Sequence, residues 1–165
     1  MSVSWAESYV GQLREKVGHI QLIVPSIRAI LRNERGEILF IDRRGENSWG
    51  MPAGSIELNE SITDCLKREV FEETGLIVEH ATPISLYSGA EHVQTNHFGD
   101  AYQMFEFVFL VEQWSGEIVT ETDETTDAKF FPPDQLPPID DAYWLQHTID
   151  VLKDLKNFRG SLILK

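Results

Sequence analysis

The chain lacks the features that mark secreted and membrane-spanning proteins. Its single cysteine, Cys65, excludes an internal disulfide bond, and we expect this side chain to act as a small buried hydrophobe. No apolar run approaches the roughly 18 residues of a transmembrane helix. The first residues, MSVSWAESYVGQ, lack the basic region and the apolar core of a signal peptide. These absences predict a cytoplasmic protein with no membrane partner.

Basic residues are also scarce. The chain has 14 lysines and arginines against 27 aspartates and glutamates, which gives a net charge of −13. This balance argues against charge-driven binding to nucleic acid, because such binding needs a basic surface. It would also repel an anionic substrate, unless metal ions reverse the sign of the charge locally. The length of 165 residues fits one globular domain with a sizeable core.

Carboxylates are concentrated in one segment, residues 54–76, which reads GSIELNESITDCLKREVFEETGL. Glu69, Glu72 and Glu73 are spaced i, i+3 and i+4, so they share one face of a helix. Such crowding raises carboxylate pKa values unless a cation neutralises the charge. Mg²⁺ prefers oxygen ligands of this kind, and Mn²⁺ is a close substitute. With Glu60 as a fourth carboxylate, the segment predicts a divalent-metal site on a helix.

The same segment carries the signals of a well-defined helix. Asn59 or Ser61 can cap its start, with Asp64 three residues after Ser61 as in a capping box. An apolar stripe for the core recurs every four residues at Ile62, Leu66 and Val70. Gly75 is a natural residue for the left-handed turn that ends a helix. We therefore expect the carboxylates to stand beside a buried helical face.

The order of fixed residues in this segment resembles the signature of the Nudix hydrolases. The spacing is Gly54, five residues, Glu60, seven residues, REV at 68–70, one residue, EE at 72–73, one residue and GL at 75–76. Every fixed position is filled by the expected residue type. The resemblance implies an α/β/α sandwich with a mixed β-sheet, covering roughly Gln21 to Leu155. It also implies Mg²⁺-dependent hydrolysis of the diphosphate linkage in a nucleoside diphosphate joined to another group.

Particular roles follow from the resemblance. Glu69, Glu72 and Glu73, together with the carbonyl of Gly54, are expected to hold two or more Mg²⁺ ions. Arg68 is expected to pair with Glu72 one helical turn away and to orient it. In this family the general base is either a glutamate of the signature or a glutamate on a downstream loop.

The downstream loop offers a base of its own. Glu124 lies six residues before Phe130 and Asp127 lies three before it, a spacing that resembles the family's loop pattern. We predict Glu124 as the base or as a further metal ligand. Glu121 and Asp123 remain alternatives, and so does a solvated acidic loop without a role.

Hydrophobic patterns predict the remaining elements. We expect an N-terminal amphipathic helix (1–19) that covers a sheet edge or forms a homodimer contact, followed by a single domain (20–165). Residues 20–31 and 37–41 are predicted to pair as a β-hairpin, followed by a loop over 45–52. The other predicted elements are strands over 76–87, 101–113, 116–119 and 129–131, loops over 88–100 and 121–127, and a last helix over 140–155.

Several side chains outside the carboxylate segment are candidates for contact with the substrate. The resemblance implies that Trp49 shapes the cleft entry. Arg43 and Arg44 can meet phosphate or a base or can face solvent, and His92 and His97 can contact substrate or lie exposed. Tyr102 and Phe105 can stack on a base or belong to the core, while Trp5 and Trp144 are predicted as core or interface packing. A small nucleotide is the expected partner, such as ADP-ribose or a nucleoside triphosphate.

Two other classes stay open. A Nudix-like domain can act as a nucleotide sensor without catalysis, which the intact Arg68 and glutamates argue against. An RNA 5′-pyrophosphohydrolase uses the same chemistry on a polymer, and it would need a basic groove that the dispersed lysines and arginines do not predict.

Overall fold

The computed structural model describes residues 4–45 and 48–165. Within them lie three α-helices, α1 (Tyr9–Val17), α2 (Ile62–Thr74) and α3 (Ala142–Asn157). The strands are β1 (Leu22–Leu31), β2 (Ile38–Arg43), β3 (Trp49–Gly50), β4 (Ala53–Ser55), β5 (Ile77–Tyr87), β6 (Val93–Thr95), β7 (Ala101–Ser115), β8 (Thr125–Phe131) and β9 (Ile163–Leu164). A short 3₁₀ helix, Ala90–His92, precedes β6.

The strands form two sheets. The larger has the order β4-β1-β7-β5-β9, with β6 paired to β7, and the smaller has the order β3-β2-β8. The larger sheet is mixed, because β1 runs parallel to β7 and β5 runs parallel to β9, while β4 is antiparallel to β1 and β5 is antiparallel to β7. The smaller sheet is antiparallel. Strands between α2 and α3 make an α/β/α sandwich, as predicted from the sequence.

Two apolar cores hold the sandwich together. The first lies under α2 and includes Leu66 and Val70, which are buried against the alternate side chains Ile27, Ala29 and Leu31 of β1. The second lies under α3, where Val151 packs among Ile30, Phe40, Ile84 and Val108. Strand β1 contributes to both cores because successive side chains of a strand point to opposite faces.

Helix α2 has the ends that the sequence predicts. The Ser61 Oγ accepts a hydrogen bond from the Asp64 backbone N–H at 3.1 Å. Gly75 ends the helix in the left-handed conformation with φ 75°, and its N–H donates to the Phe71 carbonyl at 2.8 Å. These caps satisfy backbone groups at both helix ends and fix the rotation of the carboxylate face.

The predicted hairpin of β1 and β2 is wrong. Strand β1 pairs along one edge with β4 and along the other with β7, so β2 has no free edge to occupy. The two strands meet in a single bridge, between Arg32 and Ile38, and then diverge. Strand β2 instead enters the smaller sheet between β3 and β8.

Smaller differences concern the loops. Residues 116–119 do not form the predicted strand; Val119 instead donates its backbone N–H to the Thr74 carbonyl at 2.8 Å. Strand β8 begins at Thr125, inside the stretch predicted as an acidic loop, and β6 lies within the predicted loop over 88–100. Of the loop predicted over 45–52, residues 46 and 47 lie outside the described part of the chain, and Trp49–Gly50 forms β3.

Helix α1 packs beside the sheet at the start of β1 and β7. The Ser8 Oγ caps it by accepting from the Gly11 N–H at 3.0 Å. Near its end, the Arg14 guanidinium donates to the carbonyls of Ile20 and Ala101, each at 2.5 Å. Among the described helices, none is long and apolar enough to cross a membrane.

Candidate active site

Three carboxylates meet between α2 and the loop before β8. One oxygen from each of Glu69, Glu73 and Glu124 lies within 4.8 Å of the other two. Glu69 and Glu73 are one helical turn apart on α2, while Glu124 arrives from a loop more than fifty residues later. The fold thus brings together three of the predicted ligands.

Glu73 is completely buried and held on two sides. One of its oxygens accepts from the Ala53 backbone N–H at 3.0 Å, and the other accepts from the Arg43 guanidinium. Arg43 also donates to the Ala53 carbonyl at 3.2 Å. Arg43 therefore neutralises part of the Glu73 carboxylate charge, a contact that the sequence did not predict.

Gly54 lies directly against Glu69. A Cβ built on Gly54 would lie 1.9 Å from the Glu69 Cδ and 2.0 Å from its Oε1. A larger side chain at this position would force the Glu69 carboxylate to move, so glycine in the middle of β4 allows Glu69 its observed position. The Gly54 backbone therefore borders the carboxylate cluster, as the predicted use of its carbonyl requires.

Arg68 organises the carboxylates that are not in the cluster. Its guanidinium donates to Glu60 at 2.7 and 3.0 Å and to Glu72 at 3.1 Å. It also donates to Glu69 at 2.7 Å, which links this group to the cluster. Glu60 therefore contacts Arg68 instead of lying with Glu69, Glu73 and Glu124, and Glu72 points toward a second opening.

The electrostatics of the cluster favour a bound cation. Burial and the neighbouring charge of Glu73 raise the pKa of Glu69 to about 8. Burial raises the pKa of Glu73 to about 7, although Arg43 opposes the rise. Burial and the charge of Glu72 also raise the pKa of Glu124. Buried carboxylates that repel one another, with only oxygen donors between them, fit a divalent metal of the Mg²⁺ type.

Glu124 is oriented by its own turn. The Thr122 Oγ1 accepts from the backbone N–H of Glu124 and from that of Thr125, each at 3.1 Å. The Glu124 carbonyl accepts from the Arg44 N–H at 2.8 Å. Of the alternatives, Glu121 pairs at the surface with Arg44 at 3.2 Å and is largely exposed, while Asp123 borders the second opening with Glu124.

Two cavities approach the cluster from different directions. The larger, of about 810 Å³, reaches Arg43, Ala53 and Gly54 at one end and includes Trp5 and Trp144 in its lining. We call it the main cavity. The smaller, of about 570 Å³, is bordered by Arg68, Glu72 and Glu124. A ligand in the main cavity can therefore place one end beside the carboxylates.

The other predicted substrate contacts divide between the main cavity and the rest of the molecule. Trp49, His97 and Tyr102 line the main cavity. Trp144, which was predicted as core or interface packing, packs against the second core and also lines this cavity. Phe105 lies on β7 with its ring 6.0 Å from that of Phe107, and it is 38% exposed, so it does not belong to the core. The His92 Nδ1 lies 3.0 Å from the Tyr143 hydroxyl, and burial lowers the pKa of His92.

One charged group at the cavity floor is absent from the sequence-based prediction. The Arg28 guanidinium donates to Glu106 at 3.0 and 3.2 Å, and the His147 Nε2 lies 2.7 Å from the same carboxylate. Burial opposes ionisation of Glu106, but Arg28 and His147 outweigh it and lower the pKa to about 2. The available signal was a charged residue within an apolar stretch of each strand, Arg28 in β1 and Glu106 between the apolar residues of β7.

Comparison with known proteins agrees with this geometry. The model of the family described as "NUDIX domain" matches residues 22–152. The mouse protein 8-oxo-dGDP phosphatase NUDT18 is 30% identical over 146 residues, which are 85% of this chain and 40% of that protein. The RNA pyrophosphohydrolase of Acinetobacter baylyi is 38% identical over 65 residues, 39% of each chain. This chain therefore spans about two fifths of the length of these relatives.

A solved structure supports the fold. The MutT NUDIX hydrolase of Burkholderia pseudomallei superposes with a TM-score of 0.63 at 24% identity, covering 78% of this chain and 97% of that one. At this level of identity, the similarity concerns architecture alone.

Proposed function

Because this chain belongs to the Nudix family, we propose that it is a hydrolase that cleaves the diphosphate bond of a small nucleotide derivative with the help of a divalent metal ion. The observation that carries the proposal is the meeting of Glu69, Glu73 and Glu124 within 4.8 Å beside the backbone of Gly54. Mg²⁺ is the metal we propose, because all the donors are hard oxygens, and Mn²⁺ can substitute for it.

The ligand set is proposed from this geometry. Glu69, Glu73 and Glu124 would hold the metal, with the Gly54 carbonyl, and Glu72 can join them from the edge of the second opening. When bound, the metal supplies positive charge that offsets the charge of the diphosphate and lowers the pKa of a water molecule. The metal and Arg43 would then share the neutralisation of the Glu73 charge, with Arg43 still bonded to the Ala53 carbonyl.

The chain itself must supply the base. We assign this role to Glu124, because one of its carboxylate oxygens would hold the metal while the other faces the second opening and can accept the proton of a nearby water molecule. Glu124 takes the proton as the water oxygen bonds to phosphorus. The bond between phosphorus and the bridging oxygen breaks, and the leaving phosphate carries the electron pair away.

Arg68 acts as a positioning residue. It holds Glu69 at 2.7 Å and Glu72 at 3.1 Å, and its own position is fixed by two bonds to Glu60. The Arg68 guanidinium also donates to the Ser55 carbonyl at 3.0 Å, which ties this network to β4 beside Gly54. Arg68 therefore sets the orientation of the carboxylates and need not contact the substrate.

The main cavity indicates the size of the substrate. A volume of about 810 Å³ suits a mononucleotide or a nucleoside diphosphate joined to a second small group. The mouse relative's name refers to 8-oxo-dGDP, so an oxidised nucleoside diphosphate belongs among the candidates with ADP-ribose and nucleoside triphosphates. We place the nucleoside in the main cavity and the diphosphate at its Gly54 end.

A substrate panel tests the proposal. Purified wild-type protein is incubated with 8-oxo-dGDP, ADP-ribose, a UDP-sugar and nucleoside triphosphates, in Mg²⁺, Mn²⁺ or EDTA, and the products are identified by mass spectrometry. We expect metal-dependent cleavage of one class, reduced by orders of magnitude in Glu73→Gln. Glu79→Gln, at an exposed position of β5, is the matched control and should behave as wild type. Wild-type turnover by Glu73→Gln would contradict the metal assignment.

The other function classes become outcomes of the same panel. The Acinetobacter relative's name refers to RNA, so 5′-triphosphate RNA is included as a substrate. The net charge of −13 argues against it, because a polymer needs a basic path along its backbone. Nucleotide binding without turnover of any substrate would favour the sensor. The single, buried Cys65 is consistent with localisation in a reducing cytoplasm. A homodimer through α1 remains a prediction.

A further inference from the structure

Helix α1 and the preceding residues 4–8 lie outside the stretch that matches the family model, yet they help to build the main cavity. The family match begins at residue 22. Trp5, Val10 and Arg14 nevertheless line the main cavity together with residues of β1, β7 and α3. The N-terminal segment therefore forms part of the cavity wall in this chain, in addition to any role at the sheet edge.

The position of this wall is fixed at both ends of α1. At its start, the Tyr9 backbone N–H donates to Glu57 at 2.8 Å, and the Glu57 N–H donates in turn to Glu60 at 3.0 Å. At its end, the Arg14 guanidinium binds three carbonyls, and its Nε lies 3.7 Å from the Asp100 carboxylate. Helix α1 is therefore joined both to the residue that orients Arg68 and to the start of β7.

Gly11, inside α1, leaves room for the backbone of Trp5 to pack against the helix. A Cβ on Gly11 would lie 1.8 Å from the Trp5 carbonyl oxygen, so only glycine permits the chain to pass this close to the helix. The Ser8 hydroxyl donates to the same carbonyl at 2.8 Å. Glycine is otherwise unfavourable within a helix. The close approach of the Trp5 carbonyl accounts for a glycine at a helical position that otherwise disfavours it.

The side chain of Trp5 nevertheless has little protein around it. It is 61% exposed, although it lines the main cavity. In the part of the chain that the structure describes, no aromatic ring or cation stacks on its indole. The other two tryptophans of the cavity are engaged by the protein. Arg28 lies 5.1 Å from the Trp144 ring centroid, and the ring centroids of Phe131 and Trp49 lie 5.2 Å apart in an edge-to-face arrangement.

We propose that Trp5 is a specificity-determining residue that stacks on the base of the nucleotide in the main cavity. The inference rests on the proposed function for the identity of the ligand. A flat, apolar indole that is fixed at its backbone and open at its ring suits the π-face of a base. Because every base presents such a face, Trp5 selects for the presence of a base more than for its type.

The test compares a nucleotide with its abasic counterpart, in which hydrogen replaces the base. The nucleotide is the best substrate of the panel above, and kcat/KM is measured for both compounds in wild type, Trp5→Ala and Trp5→Phe. We expect Trp5→Ala to lose about tenfold in kcat/KM for the nucleotide, with the abasic value changed by less than about twofold. Trp5→Phe should recover most of the loss. Ile77→Ala, at an exposed apolar position of β5, is the control.

A second variant moves Trp5 without removing it. Gly11→Ala should displace the Trp5 backbone and reduce the preference for the nucleotide in the same way, while circular dichroism shows a folded protein. A wild-type preference in either Trp5→Ala or Gly11→Ala overturns the inference.

Binding separates this inference from the proposed function. The dissociation constant of the non-hydrolysable α,β-methylene analogue is measured by calorimetry in the same variants. If no substrate is cleaved but Trp5→Ala still weakens analogue binding about tenfold, the Trp5 inference stands and the hydrolase proposal fails. If cleavage occurs equally well in Trp5→Ala and wild type, the hydrolase proposal stands and the Trp5 inference fails.

Discussion

Raising the pH should destabilise the metal-free protein through Glu69. This side chain is 8% exposed, and its pKa is raised from 4.5 to about 8 by burial and by the charge of Glu73. The folded state therefore holds the Glu69 proton more tightly than the unfolded state does. The stability from this proton is complete below about pH 4.5 and is lost as the pH rises through about 8.

The size of the effect follows from the shift. At about 1.4 kcal/mol for each pKa unit, the whole change in the free energy of unfolding is about 5 kcal/mol. Between pH 5.5 and pH 8.5 the loss is about 3 kcal/mol, because the remainder lies outside this interval. Other titrating groups also contribute here, so the quantity to measure is the difference between wild type and Glu69→Gln, whose amide cannot ionise.

Urea unfolding in EDTA at pH 5.5 and pH 8.5 measures this difference. We expect Glu69→Gln to gain about 3 kcal/mol relative to wild type over the interval, whereas Glu79→Gln should follow wild type. Added Mg²⁺ should stabilise the wild type most strongly at pH 8.5, because the ion binds the charged carboxylates. Parallel wild-type and Glu69→Gln stabilities across the interval would refute the account of the cluster's electrostatics.

Three other substitutions test separate parts of the structure. Gly54→Ala places a Cβ 1.9 Å from the Glu69 Cδ and should displace this carboxylate. The Mn²⁺ affinity measured by calorimetry should then fall about tenfold or more, and an unchanged affinity would contradict the proposed ligand set. Glu106→Ala leaves the buried Arg28 guanidinium without its carboxylate and should lower the free energy of unfolding in urea at pH 7 by about 3–5 kcal/mol. A decrease of less than about 1 kcal/mol would show that the pair is not buried as described. Glu124→Gln should lower kcat about a hundredfold and remove the acid limb of the kcat–pH profile, and a mild effect would assign the base elsewhere.

Local signals explain why α2 could be predicted from the sequence. The Ser61 cap, the Leu66 and Val70 stripe and the Gly75 end all act over one or two helical turns, and each is found in the structure. The pairing of Arg68 with Glu72 at 3.1 Å is likewise a contact within one turn. Such features depend on the neighbouring residues of the same helix, so the sequence alone specifies them.

Contacts between distant elements were not predictable in the same way. The bond from Arg43 to Glu73 joins β2 to α2, and that from Arg28 to Glu106 depends on the parallel pairing of β1 with β7. The same pairing occupies the edge that the predicted hairpin partner would have taken. An isolated arginine in a strand shows that a partner exists but does not show where in the chain it lies.

The position of Trp5 was likewise not predictable from the sequence. Its spacing with Tyr9 predicts a continuous helical face, but α1 begins at Tyr9 and the chain before it turns back across Gly11. This close approach is a matter of three-dimensional packing, and in the sequence it appears only as a glycine in a helical pattern. The placement of Trp5 at the cavity therefore became visible only in the structure.

The most direct test of the central claim measures metal binding and hydrolysis together. Mn²⁺ affinity and the rate of diphosphate cleavage are determined for wild type, Glu73→Gln and Glu79→Gln under the same conditions, with products identified by ³¹P NMR. The account predicts that Glu73→Gln loses both properties and that Glu79→Gln keeps both. Cleavage that survives in EDTA, or in Glu73→Gln, would show that this carboxylate cluster is not the centre of the chemistry.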